Sequence, residues 1–143
     1  MAYATVDDLL VHVEVQFLVD TTDDVGTGQA DSTRIAGAIT QASAEVEAAL
    51  VTGGFTPPTT TTGLLTTLTA LLTLKMLATR KRLLKAPEVL KSAWTRAEAT
   101  LDRIAQGKLV PPGLVKGESG ARRAGLAQDS GEVTDRDTLE DLL

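Results

Sequence analysis

Few residues in this chain are of types that do chemistry, and their spacing decides against most of it. There is one histidine, His12, and no cysteine. A histidine acts as a general base only beside a positioned partner. No serine arrangement resembling a nucleophile site lies near His12, and there is no second histidine to share a metal. It reads as an exposed or internally satisfied side chain. Absence of cysteine removes disulfides, thiolate chemistry and Cys-ligated zinc or iron–sulfur sites.

The stretch 20–31, DTTDDVGTGQAD, has the acid density of a calcium loop. An EF-hand loop wants acids at positions 1, 3 and 5, glycine at 6 and glutamate at 12. Counted from Asp20, the third position is Thr22, the sixth is Val25 and the twelfth is Asp31. The match is poor, and a solvated acidic turn is the better reading. Glu45 and Glu47 are two apart on a helical pattern, so they point in different directions and do not form a catalytic pair. Asp7 and Asp8 fall in a first helical turn, where acids complement the helix dipole. Arg80, Lys81, Arg82 and Lys85 form a basic cluster. Near a helix C-terminus such cations complement the dipole. They would also suit an acidic partner surface or a phosphate backbone. No aromatic residue is interleaved to stack bases, and no glycine-rich phosphate loop is present.

What remains is a sorting of charge. Residues 1–50 hold nine acids (Asp7, Asp8, Glu14, Asp20, Asp23, Asp24, Asp31, Glu45, Glu47) and one base, Arg34. Residues 75–108 hold nine bases and three acids, Glu88, Glu98 and Asp102. Unlike faces on a chain without catalytic groups point to fitting against copies of itself or another protein. Complementary charge steers association and fixes register more than it adds affinity. The net charge of −5 argues against a dedicated nucleic-acid binder.

The 143 residues suffice for one domain of ordinary size. No basic leader precedes the first acids, so no signal peptide is expected. The one membrane candidate, 64–78, is shorter than the about 20 apolar residues a spanning helix needs, and threonines and Lys75 interrupt it.

The elements follow from period and punctuation. Thr5 with Asp8 three residues on has the form of a capping box, predicting a short helix carrying Leu9, Leu10 and Val13. The segment VQFLV at 15–19 is open between a second short helix and a strand. Asp31 or Ser32 caps a helix over about 32–52, with Ile35, Ile39, Ala42, Val46 and Ala49 on one stripe. Gly53 and Gly54 end it. Prolines and threonines make 55–63 a linker. A leucine-rich helix over about 62–85 is the expected centre of the core. Pro87 suits the first turn of a last helix over about 87–106, with Leu90, Trp94, Ala97, Leu101 and Ile104 inward and Gly107 at C′. From Lys108 onward, glycine, proline and scattered charge read as an extended or disordered arm, either a docking peptide or a frayed terminus, whose tip, TLEDLL, carries Leu139, Leu142 and Leu143. Fully extended, its 36 residues reach on the order of 120 Å.

In order and spacing, MAYATVDDLL, the turn DTTDDVGTGQAD, the helix STRIAGAITQASAEVEAAL, a leucine-rich helix and the closing VLKSAWTRAEATLDRIAQGKL resemble the Mu-like prophage family of small head–tail adaptor proteins, also called head–tail connector or head completion proteins. The resemblance covers about residues 1–110. It implies a non-enzymatic virion protein of the phage neck, made in the host cytoplasm, that forms a ring of about twelve copies beneath the portal. Its implied partners are the portal protein, a stopper or tail-completion protein and further copies of itself. DNA would pass through the channel without sequence-specific binding, and neither a membrane nor a cofactor is involved.

The expectation is therefore an all-α protein: a small bundle of about four helices over residues 1–107, with an extended C-terminal arm over 108–143. Candidate subunit or portal contacts are Asp7, Asp8, Asp23, Asp24, Arg80, Lys81, Arg82 and Lys85 on the charged faces. Leu139, Leu142 and Leu143 are the candidates at the arm's tip. The rival reading is a helical DNA-binding or regulatory module using the basic 75–108 region.

Overall fold

The computed structural model describes residues 2–81 and 86–115. The described residues form five helices and no strand: α1 Val6–Leu10, α2 Val15–Thr22, α3 Ser32–Thr52, α4 Gly63–Arg80 and α5 Glu88–Ala105. Helix α4 is the hub. Its leucines recur on every side, and it buries Leu65, Leu68, Leu71, Leu72, Leu74 and Leu77. Helices α3 and α5 pack on it and on each other, while α1 and α2 lie against its remaining flank. A helix surrounded this way also buries hydroxyls, and that of Thr69 has no hydrogen-bond partner among the described residues. Thr73 satisfies its own hydroxyl by donating to the Thr69 carbonyl at 2.7 Å.

The outer helices are amphipathic, as their periods predict. In α3 the stripe Ile35, Ile39, Ala42, Val46 and Ala49 is buried. In α5 Leu90, Trp94, Ala97 and Ile104 are buried, with Leu101 partly so. The VQFLV segment is helical. At its end Thr21 and Thr22 turn their hydroxyls back onto the helix, to the Phe17 and Leu18 carbonyls. That local satisfaction offsets a β-branched run that would otherwise favour a strand.

The helix ends are closed by specific groups. Asp8 accepts the Thr5 backbone N–H at 2.7 Å, the carboxylate half of the expected capping box. Asp31, not Ser32, caps α3, accepting from the Thr33 and Arg34 N–H groups. At the far end of α3, Gly54 has φ +89°, and the Phe55 N–H reaches the Leu50 carbonyl at 2.8 Å. This is a Schellman closure, and it folds buried Phe55 back over buried Leu50. Helix α5 ends in the same way, with the Lys108 N–H on the Arg103 carbonyl at 2.8 Å and Gly107 at C′. The two closures touch. A Cβ on Gly53 would overlap the Ile104 carbonyl oxygen, so only glycine lets α3 and α5 meet there.

Three sequence expectations need correction. The leucine-rich helix ends at Arg80 with Lys81 as its cap, short of the expected 85. Pro87 is the N-cap of α5, extended at ψ 148°, and does not lie in the first turn. Its ring cannot donate there, which costs nothing at a position whose N–H has no helical role. The arm begins later than Lys108, because Leu109 and Leu114 pack against the core and Pro111 is buried. Residues 116–143, the rest of that arm, lie outside the described residues.

Tyr3 carried no sequence signal, yet it pins the N-terminus. Its N–H donates to Ser43 Oγ at 3.1 Å and its hydroxyl to Glu47 Oε2 at 3.0 Å. Its carbonyl accepts from Thr61 at 3.2 Å. Burial, then the hydrogen bond and charge of Glu47, push its phenol up to about 12.

Candidate functional site

The polar end of the bundle is built where the α2–α3 loop meets the last turn of α4. The loop is closed at its base by Thr22, whose hydroxyl accepts the Asp31 N–H at 2.8 Å. Within it, Asp23 gathers the chain. Its carboxylate accepts from Thr27 N–H and hydroxyl, both at 3.0 Å, and from the Gly28 N–H at 2.7 Å. Gly26 and Gly28 supply the positive φ values, +78° and +81°, that this tight wrap requires. Those backbone donors, Thr27 first and then Gly28, hold the Asp23 carboxyl below its ordinary value.

With the loop folded around Asp23, the next residue projects outward. Asp24 meets Arg80 Nη2 at 2.6 Å, Lys81 Nζ at 2.9 Å and Arg34 Nη2 at 3.1 Å. Arg80 also donates from Nη1 to the Thr21 carbonyl at 2.5 Å, tying the end of α4 to the end of α2. Arg34 completes the cluster through Nε to Asp31 at 3.3 Å. Arg80, then Lys81, hold the Asp24 carboxyl well below the usual carboxylate range, and the charge of Arg34 adds to this. The side chains of Asp24 and Arg80 are each 31 % exposed, so salt and water screen the cluster substantially. It is a clasp with no nucleophile and no general base free to act.

One acid of the acidic front, Asp24, thus meets two bases of the basic back, Arg80 and Lys81, inside one chain. Asp23, beside it in sequence, is taken up by its own loop. Asp7 and Asp8 are apart from them on α1, where Asp8 is occupied as a cap and Asp7 is exposed. Arg82, Lys85, Leu139, Leu142 and Leu143 lie outside the described residues. A second pairing, Lys75 with Glu98, links α4 to α5, and Lys91 pairs with Glu88 along α5. Sequence reading missed Arg34 and Asp31 as members of the clasp. An arginine three residues after an acidic N-cap is a visible ion-pair spacing, but nothing in the spacing identifies Arg80 as the third party.

Among the described residues no cluster of three or more His, Asp or Glu side chains is placed to hold a metal ion. No helix among them is long and apolar enough to cross a membrane.

No curated protein matches the chain significantly. A family model described as Bacteriophage Mu, Gp36 matches residues 3–128. That span takes in all five helices, the clasp and a further thirteen residues beyond Val115. An all-α bundle packed around a leucine-rich central helix is in keeping with a phage structural or morphogenetic component. By this match the chain belongs to the bacteriophage Mu Gp36 family.

Proposed function

We propose that this protein is a head–tail adaptor of a tailed phage. In this reading it forms a ring of about twelve copies under the portal, extends the DNA channel and receives the stopper or tail-completion protein. Family membership over residues 3–128 carries the reading, because it places the chain among Mu phage proteins. The fold supports it in a second way. A ring subunit needs a rigid body that presents different surfaces to its two neighbours. The leucine core and the α3–α5 junction give the bundle a packed body, and leave Asp7 and the outer face of α5 exposed.

The DNA-binding alternative loses ground here. It needs free cations to displace counterions from phosphate. Arg80 and Lys81 are paired with Asp24, Lys75 with Glu98 and Lys91 with Glu88, which leaves Arg96, Arg103 and Lys108 as the bases without an ion pair among the described residues of that region.

The test is to mix the purified chain with the portal protein of the same phage and image the complex by electron microscopy. A closed ring of added density at the tail-proximal end of the portal is the expected result. Binding to duplex DNA with a steep salt slope, and no density on the portal, would reject the adaptor reading.

A further inference from the structure

A groove of about 510 Å³ separates the α1–α2 turn from the first turns of α5. Val13, Phe17, Leu90 and Ala93 give it an apolar lining, and Val89, also in the lining, is 81 % exposed. Two acids line it as well, Glu14 and Asp20. Neither has a cationic partner within 4.0 Å among the described residues, although nearby Lys91 and Glu88 pair with each other. Among the described residues Asp20 accepts only the Gln16 amide, at 2.8 Å, so an apolar trough whose acids lack a cation fits a segment that offers an apolar anchor beside positive charge.

The chain contains such a segment beyond Val115. Residues 116–128 carry Lys116, Arg122 and Arg123 against Glu118. Residues 129–143 carry Asp129, Glu132, Asp135, Asp137, Glu140 and Asp141 against Arg136. The family match ends at residue 128, where the sign of the arm changes. We propose that residues 121–127, ARRAGLA, dock into this groove of their own chain. Leu126 enters among Val13, Phe17, Leu90 and Ala93, and Arg122 and Arg123 face Glu14 and Asp20. The acidic last segment is the wrong occupant, since its carboxylates would meet Glu14 and Asp20.

The reach is sufficient. Gly113 lies beside Thr62, at the start of α4. The groove lies toward the other end, because α5 begins where α4 has ended and Arg80 ties that end to α2. Helix α4 has 18 residues, a length of about 27 Å. The twelve residues 115–126 span up to about 40 Å when extended. The chain therefore covers the length of the bundle with slack and needs no second copy. This inference stands apart from the adaptor reading.

The natural absence of cysteine makes the test clean. In the full chain, Val89→Cys, at an exposed position, is combined with Ala127→Cys, next in sequence to the Leu126 anchor. Mild oxidation followed by non-reducing electrophoresis should give a disulfide within the monomer. Docking raises the effective concentration of the two thiols, so the yield should exceed that of a Val89→Cys, Leu142→Cys control by about tenfold. Adding Leu126→Glu, or Arg122→Glu with Arg123→Glu, should return the yield to the control level. Yield no higher than the control, yield unaffected by those changes, or disulfide-linked dimers in place of monomers would each overturn the proposal.

Discussion

The two ends of the bundle are held in opposite ways. At one end α3 and α5 close side by side, with Gly53 against the Ile104 carbonyl and Phe55 folded over Leu50. Ile104 and Leu50 are fully buried there. At the other end the α2–α3 loop is clasped to α4 through Asp24, Arg80, Lys81 and Arg34, all partly exposed. Close packing fixes geometry to fractions of an ångström and is nearly indifferent to salt. Partly exposed ion pairs contribute little stability and are screened, but they can exchange partners. The difference separates what holds the fold together from what is available for regulation or contact.

The comparison can be broken most severely at the packed end. Ile104→Ala should cost about 2–5 kcal/mol by removing a buried side chain and leaving a cavity. Denaturant unfolding of the full chain measures this, with a lower midpoint and an unchanged slope. Gly53→Ala should cost about 1–3 kcal/mol, because α3 and α5 must move apart to admit the methyl group. Tyr3→Phe removes the hydroxyl that Glu47 accepts, and should cost about 0.5–1.5 kcal/mol. Burial of the phenol, together with that bond and the charge of Glu47, gives a pH signature. The folded phenol titrates near 12, above its ordinary 10.0, so its contribution is complete below about 10 and lost as pH rises to about 12. Tyr3→Phe should remove that alkaline loss.

At the clasp the effects should be smaller and of another kind. Asp24→Asn should leave global unfolding nearly unchanged. It should speed amide exchange in the loop at low salt and have little effect at high salt. The acid direction follows from the lowered carboxyl of Asp24. Its contribution is present above the ordinary carboxylate value of 3.8 and is lost as pH falls through the lower folded value. Loop amides should therefore lose protection at strongly acidic pH in the native chain, and Asp24→Asn should flatten that dependence.

Much of the fold was legible in the sequence because it is written in local signals. The stripes of α3 and α5 and the glycine closures follow from periodicity and backbone freedom at one site, while the cap of α3 was open between Asp31 and Ser32. Helix α2 was ambiguous because its β-branched residues are reconciled with a helix only by hydroxyl bonds to Phe17 and Leu18. The end of α4 was misplaced because its leucine pattern continues past Arg80 while the backbone turns at Lys81. The clasp was half legible. Its charges stand out by composition, yet their pairing joins residues 24 and 80, and no short-range rule predicts a contact across that separation. Reading the two charged blocks as faces for different neighbours leaves out the pairing of Asp24 with Arg80 and Lys81 inside the bundle. Tyr3 was invisible for the same reason, since Ser43 and Glu47 reach it only through the fold.

The most direct measurement is amide hydrogen exchange of the full chain at increasing sodium chloride, followed residue by residue with the association state monitored in parallel. If the acidic and basic blocks pair within one chain, exchange in residues 23–30 should accelerate as salt rises. The Phe55–Ile104 junction should stay protected, and the association state should not follow the loop. A loop indifferent to salt, in a chain whose assembly dissolves as salt rises, would contradict the clasp and return those charges to the contacts between copies.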